Sequence, residues 1–304
     1  MSNATFTALG IDVGGTKIAA GIVDFPEGHV GPRRVIPTLP ARGGGAVLDD
    51  VARLAEELII EAGPTRSHLA GLGVGLCELV DPEGRILSAN CLAWQDQPVR
   101  ERLARIAPVT LEADVRAAAL AEAHFGAGKP FRIFLYVTVG TGIASCLVLN
   151  GRPYAGARGA TGTMASSPLS MPCERCNHTN RRTLEELAAG PALVARFNQR
   201  KPGAAKTGQD VLAAVAAGDA DALAVVRSAG EALESVIGLL INVLDPEAVI
   251  IGGGLGLSEG SYWDEFIAAT RRHIWSEVHC NLPILRAATG PDAGLIGAAI
   301  AAWK

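Results

Sequence analysis

A carboxylate, two glycines, a hydroxyl and an amine stand together near the start of the chain, in Gly10-Ile11-Asp12-Val13-Gly14-Gly15-Thr16-Lys17. Apolar residues lead into the group and resume through Ile18, Ala19, Ala20, Ile22 and Val23, so it reads as strand, tight turn, strand. Glycines let a backbone bend and approach a ligand with no Cβ in the way, so the amides of such a turn can face phosphate oxygens. The spacing is neither that of a P-loop entering a helix nor the dinucleotide fingerprint G-x-G-x-x-G. An Asp-Gly-Gly hairpin that holds no ligand satisfies the same residues. A second segment repeats the design: an apolar run from Ile133 feeds Thr138-Val139-Gly140-Thr141-Gly142, and a second apolar run follows it to Leu149. A third glycine cluster, Gly252-Gly253-Gly254, follows Ala248-Val249-Ile250-Ile251 and the turn Asp245-Pro246-Glu247. Three such turns in one cleft would hold an anionic ligand the size of a nucleotide.

In their order and spacing these segments resemble the ROK family of sugar kinases and related repressors, within the actin-like ATPase superfamily. The likeness runs from Gly10 to about Ala302 and includes the tail Asp292-Ala293-Gly294-Leu295-Ile296-Gly297, similar to the closing helix of that family. It implies an α/β fold of two domains, actin-like and ribonuclease H-like, with the active site in an interdomain cleft. It also implies an ATP-dependent kinase using Mg²⁺ and acting on an alcohol. Phosphoryl transfer of that kind needs the triphosphate held, the metal bridging it and a base on the attacking hydroxyl. Asp114, in Leu111-Glu112-Ala113-Asp114-Val115, matches the family's catalytic aspartate; an aspartate there is equally an ordinary helix N-cap. The resemblance assigns Asp12 to orienting Mg²⁺ through water. It further implies that Gly14, Gly15, Thr16, Lys17, Thr138, Gly140, Thr141, Gly142, Gly252, Gly253 and Gly254 line the nucleotide, although Lys17 also suits a solvated strand.

The acceptor pocket departs from the family pattern. Its Gly-Glu-Ile-Gly-His is represented by Gly162-Thr163-Met164-Ala165-Ser166, the asparagine before the catalytic aspartate by Ala113, and the Pro-Gly after the third strand by Cys77-Glu78. Asn90 and Glu185 remain as substrate-binding candidates, with Thr163 and Glu78 as substituted ones. Glu78 is expected either to contact the acceptor or to face solvent. A site built to hydrogen-bond hydroxyls does not keep its ligand after losing several partners. The expected acceptor is therefore a sugar or sugar-like polyol other than an ordinary hexose, a C7-cyclitol of the valiolone type being one candidate; glucokinase or N-acetylhexosamine kinase activity is the alternative. The family's zinc motif is also altered. Cys173, Cys176 and His178 offer three ligands of a rewired Zn²⁺ site, while a C-x-x-C without its second pair equally describes a metal-free loop.

The elements that must position these groups follow from periodicity. Strands are expected near 6–13, 18–24, 70–76, 133–139, 143–149 and 248–251. An amphipathic helix is expected near 46–62 and further helices near 113–125, 183–200, 209–217 and 219–243; the family resemblance implies that a last helix, from Gly290, returns to pack on the first domain. The expected domains are 1–115 with 290–304, and 116–289. A chain of 304 residues, 49% hydrophobic, suits two cores. Its formal charge of −4, from 27 basic and 31 acidic residues without a run of one sign, gives no nucleic-acid surface. With no signal pattern and no apolar run of membrane length, a cytoplasmic location is expected. The partner implied is a small polyol, with a second copy of the chain as a further candidate. Cys77, Cys91, Cys146 and Cys280 stand in mostly apolar contexts and are expected to be buried thiols. Repressors of the family carry a DNA-binding domain before the phosphate turn, and only nine residues precede Gly10, which argues against that role. A catalytically inactive ligand-binding or regulatory protein is the reading opposed to the kinase.

Overall fold

The computed structural model describes residues 5–63, 69–169, 171–172, 179–259 and 261–303. The elements run β1 (Phe6–Val13), β2 (Lys17–Phe25), β3 (His29–Pro37), α1 (Gly44–Ala62), β4 (Leu69–Leu76), α2 (Val99–Leu103), β5 (Val109–Ala113), α3 (Asp114–Phe125), β6 (Ile133–Val139), β7 (Ile143–Leu149) and β8 (Arg152–Pro153). They continue with β9 (Met171–Pro172), β10 (Thr179–Asn180), α4 (Leu184–Ala188), α5 (Gly190–Asn198), α6 (Gly208–Ala216), α7 (Ala220–Leu244), β11 (Ala248–Gly252), α8 (Ser261–Arg272), β12 (Ile284–Arg286) and α9 (Ala293–Ala301). Contacts divide the chain into two compact units, one of residues 1–132, 146–161 and 287–304, the other of 133–145 and 162–286.

The first unit is built on a sheet of order β3-β2-β1-β4-β5, in which β1, β4 and β5 are parallel. Alternation along β1 sends Leu9, Ile11 and Val13 into a core with Val47, Val51, Leu54 and Leu58 of α1 and with Trp94. Ala8 joins instead a core made with Leu295, Ile296 and Ala299 of α9. That second face is tight because glycines line it. A Cβ on Gly10 would lie 1.9 Å from the Leu295 carbonyl oxygen, one on Gly73 1.7 Å from that of Ala298, and one on Gly297 1.6 Å from that of Ala117. The apolar helix α9 therefore rests on bare backbone of β1, β4 and α3. Glu122, fully buried on α3, accepts from the backbone N–H groups of Ala127 (2.8 Å), Ala288 (3.0 Å) and Thr289 (2.8 Å), tying down the segment that leads into α9.

In the second unit β11 pairs in parallel with both β6 and β12, in the order β12-β11-β6-β7; the distal end of β7 and β8 group with the first unit. Helices α4 to α8 enclose its core, and α7 begins at Asp219, whose carboxylate accepts from the N–H groups of Asp221 (2.9 Å) and Ala222 (3.1 Å). The single helix expected over 183–200 is two. Pro191 has no N–H with which to reach the Leu187 carbonyl, Ala189 is extended, and the freed carbonyl accepts from Nη1 of Arg196 at 2.6 Å. Periodicity also missed β5, too short for its own pattern, together with α2, α8 and β12. Of the four cysteines expected to be buried, only Cys146 is; its burial pushes the thiol up to about 12, whereas Cys77, Cys91 and Cys280 are half-buried because they sit in turns and element ends. No helix among the described residues is long and apolar enough to cross a membrane.

Candidate active site

Asp12 is the next-to-last residue of β1 and Asp114 follows β5 directly, so two carboxylates stand at the carboxyl ends of parallel strands separated only by β4. Open α/β sheets bind ligands at that edge. Asp114 is the first residue of α3, and its Oδ1 accepts from the Val115 N–H at 2.6 Å. Its carboxyl is pushed from 3.8 up to about 6, chiefly by burial and further by the charge of Glu78, against the Val115 hydrogen bond and the charge of Arg116. Burial and the charge of Asp114 raise Asp12 to about 7, with Lys17 opposing. Two carboxylates that resist ionisation beside one another are a place for a cation.

The space around Asp12 depends on a residue that pattern reading placed only in a closing helix. A Cβ on Gly294, in the first turn of α9, would fall 2.5 Å from the Asp12 carboxylate, so only glycine fits there. The signal for it in the sequence was a glycine inside an otherwise apolar helical run. Arg116, two residues after Asp114, is 3% exposed: Nε donates to Glu112 at 2.5 Å, Nη2 to the Val80 carbonyl at 2.6 Å and Nη1 to that of Gly159 at 3.1 Å.

The turn after Asp12 is closed by Gly14 N–H donating to the Lys17 carbonyl at 3.0 Å. Thr38, which sequence reasoning missed, is fully buried, donates its hydroxyl to the Gly14 carbonyl at 2.6 Å and its N–H to that of Thr16 at 3.0 Å. Thr16 and Lys17 are exposed at the tip. Gly15 faces Cys91: a Cβ there would meet the sulfur at 2.8 Å.

In the second unit the other two glycine turns come together. Gly140 N–H donates to the Gly142 carbonyl at 2.9 Å, and a Cβ on Gly140 would lie 3.7 Å from the Gly254 nitrogen. Gly253 has φ of +83°, and a Cβ on it would lie 2.4 Å from the Val139 carbonyl oxygen and 2.7 Å from Oγ1 of Thr138. Thr138 is the register partner of Gly252. Thr138, Gly140, Thr141, Gly142 and Gly252 to Gly254 thus line one end of the parallel strands β6 and β11. Thr141 also lines an open cavity of about 650 Å³ with Arg182, Glu185 and Gln199.

The acceptor candidates divide between the units. Asn90 is exposed in the first, while Thr163, exposed, and Glu185 lie in the second. Glu185 is engaged with the turn at 140–142 itself: its Oε1 accepts from the Ile143 N–H at 2.9 Å and would meet a Cβ on Gly142 at 2.8 Å. Glu78 does not face solvent. It is 4% exposed and accepts from the N–H groups of Asn90 (2.9 Å), Cys91 (2.7 Å) and Leu92 (2.7 Å) and from the Ser88 hydroxyl. Cys173, Cys176 and His178 lie outside the described residues, and among the described residues no group of three or more His, Cys, Asp or Glu side chains could hold a metal ion.

The model of the ROK family matches residues 8–304. The chain is 28% identical over 308 residues to a glucokinase of Halalkalibacterium halodurans, covering 95% of this chain and 92% of that one. Among solved structures it is similar to a ROK hexokinase from Thermus thermophilus, with a TM-score of 0.79, 34% identity and 98% of each chain covered. It is similar also to a ROK family glucokinase from Streptomyces griseus in complex with glucose and AMPPNP, with a TM-score of 0.81, 26% identity and 98% of each chain covered. With a family match along nearly its whole length and these neighbours in three dimensions, the chain belongs to the ROK family and has the actin-like ATPase fold of its sugar kinases.

Proposed function

We propose that the protein is an ATP-dependent kinase that transfers the γ-phosphoryl group to a hydroxyl of a sugar or sugar-like polyol, with Asp114 as the base. The observation that carries this reading is Asp114 itself: a carboxylate at the carboxyl end of the parallel strands β1, β4 and β5, one oxygen held by the Val115 N–H and its pKa raised to about 6. Oδ2 is then the oxygen available to accept the proton of the attacking hydroxyl. A base of that pKa is mostly ionised at neutral pH and takes the proton more readily than an ordinary aspartate does. The acceptor oxygen forms its bond to the γ-phosphorus as the bond to the β-bridging oxygen breaks, and ADP leaves with that electron pair. Apart from the Gly14 and Gly140 N–H groups, which close their own turns, the amides of the turns at 14–15, 140–142 and 252–254 would offer donors to the phosphate oxygens, and Glu185 would keep the middle turn in shape.

The oxygen-rich, charge-repelling pair Asp12 and Asp114 suits Mg²⁺, which favours carboxylate and water ligands. Asp12 would hold it, in the space left by Gly294. When bound, the metal neutralises charge on the β- and γ-phosphates. The acceptor follows from what has replaced the family's usual pocket. With Thr163, Ser166 and Ala113 in place of glutamate, histidine and asparagine, glucose and N-acetylmannosamine lose hydrogen-bond partners, so the preferred alcohol has a different hydroxyl pattern, a C7-cyclitol being the leading candidate. A coupled ADP-release assay over a panel of hexoses, amino sugars and cyclitols tests this. An acceptor outside the ordinary hexoses with the highest kcat/KM supports it; glucose turned over at about 10⁴ M⁻¹s⁻¹ or faster, as ordinary enzymes do, overturns the acceptor assignment, and release of ADP with no member of the panel overturns the kinase.

A further inference from the structure

The carboxylate of Glu78, 4% exposed, is turned to its own chain. Both of its oxygens are already in use, Oε1 by the N–H groups of Cys91 and Leu92 at 2.7 Å each and Oε2 by that of Asn90 at 2.9 Å and by the Ser88 hydroxyl. Ser88 Oγ accepts in turn from the Leu79 N–H at 2.9 Å. Burial pushes the carboxyl up, but the hydrogen bonds from Ser88, Leu92, Cys91 and Asn90 outweigh it and hold Glu78 below its ordinary value, so it is an anion. Three successive backbone donors converging on one buried anion form a rigid nest, because each bond is charge-assisted and none competes with water.

The same segment is pinned further along. Leu92 and Trp94 are 1% and 0% exposed in the core of the first unit, and the Trp94 indole N–H donates to the Gly44 carbonyl at 2.8 Å. Between these anchors Asn90 is exposed, and its neighbour Cys91 abuts Gly15 of the phosphate turn. Backbone held so firmly, beside a turn assigned to phosphate, has one side chain left to offer a ligand. We infer that Glu78 is a positioning residue, which folds residues 88–92 into a fixed loop so that the side chain of Asn90 is presented to the acceptor.

This inference rests on the kinase reading and adds to it a specificity determinant that acts without touching substrate. A loop held by a glycine turn could be fixed by backbone alone; here a buried carboxylate fixes it, and the acceptor-side geometry becomes dependent on one charge. Glu78→Gln keeps the size of the side chain but replaces one acceptor oxygen with an NH₂ group that faces other donors.

The test is steady-state kinetics of Glu78→Gln with the best acceptor from the panel, together with hydrogen exchange at the amides of Asn90, Cys91 and Leu92. The expected result is an acceptor KM raised about tenfold or more, an ATP KM changed less than about threefold, and faster exchange at those three amides; a binding defect confined to one substrate reads as lost positioning of that substrate. Asn90→Ala should raise the acceptor KM similarly, and adding Glu78→Gln to it should raise it little further, since both changes remove one interaction. Should Glu78→Gln fail to fold, Ser88→Ala, which removes a single donor to the carboxylate, is expected to give a smaller shift in the same direction. An active enzyme whose acceptor KM is unchanged in the variant that folds, or whose two KM values rise together, overturns the positioning role and leaves the kinase standing. A wild type with no acceptor overturns both.

Discussion

Replacing Asp114 with asparagine should destroy activity and stabilise the protein, and the pH dependence of the second effect distinguishes a strained catalytic carboxylate from a helix cap. The native carboxyl is held at about 6 against an ordinary 3.8. Between those values the folded protein binds a proton that the unfolded chain has lost, so stability falls as pH rises through the window, and above it the full penalty is present. Two units correspond to about 3 kcal/mol, reduced to roughly 1–2 kcal/mol because the group keeps some access to solvent. Asparagine carries no charge, and its side-chain oxygen can keep the bond from Val115 N–H, which is 2.6 Å long. Removing the charge also relieves Asp12, which Asp114 raises. Asp114→Asn should therefore melt a few degrees above wild type at pH 7.5 in metal-free buffer and match it near pH 4. Loss of a positioned base should cost about 10²- to 10⁴-fold in kcat, with nucleotide affinity nearly unchanged. Thermal melts at the two pH values and a coupled ADP assay read these outcomes. Retained activity would refute the assignment of the base; a stability change equal at both pH values would refute the electrostatic account.

Wild-type kcat/KM should fall on the acid side with an apparent pKa near 6, as Asp114 takes up its proton, and an acid limb near 4 in the pH profile would contradict the raised value. Gly294→Ala should lower activity and weaken Mg²⁺ dependence, because the added methyl falls 2.5 Å from the Asp12 carboxylate; a metal titration unchanged from wild type would remove Gly294 from the site. Gly253→Ala, at φ of +83° and 2.4 Å from the Val139 carbonyl, should raise the ATP KM at least about tenfold and cost about 1–3 kcal/mol in denaturant unfolding, and a neutral result would show that the turn does not hold phosphate in this shape. Gly73→Ala should cost more than about 3 kcal/mol without a specific effect on either KM, since it drives a methyl into the Ala298 carbonyl of α9, where that helix packs on β4.

Much of the architecture was legible in the residues themselves. Strands such as β1 and β11 and helices such as α1 and α7 carry their periodicity locally, since each buries a face set by spacing alone, and the glycine turns announce themselves because a Cβ is excluded there. The helix expected over 183–200 failed at Pro191, where a missing N–H outweighs an unbroken apolar pattern, and β5 was too short to show a period.

The side-chain roles depend on neighbours far away in sequence. Glu78 reads from sequence as either an acceptor contact or a solvent-facing glutamate, and only folding surrounds it with four donors from residues 88–92. Glu185 reads as a candidate ligand for hydroxyls, and only folding shows one of its carboxylate oxygens on the Ile143 N–H. Thr38 and Gly294 have no motif at all, and only folding brings one to the Gly14 carbonyl and the other to Asp12. The sequence by itself determined the family, the two cores and the glycine turns, because spacing and side-chain volume are local properties. Which carboxylates are strained, which are spent on loops and which space is kept open for them was decided by the tertiary structure, because desolvation and hydrogen bonding are set by every atom that folding brings near.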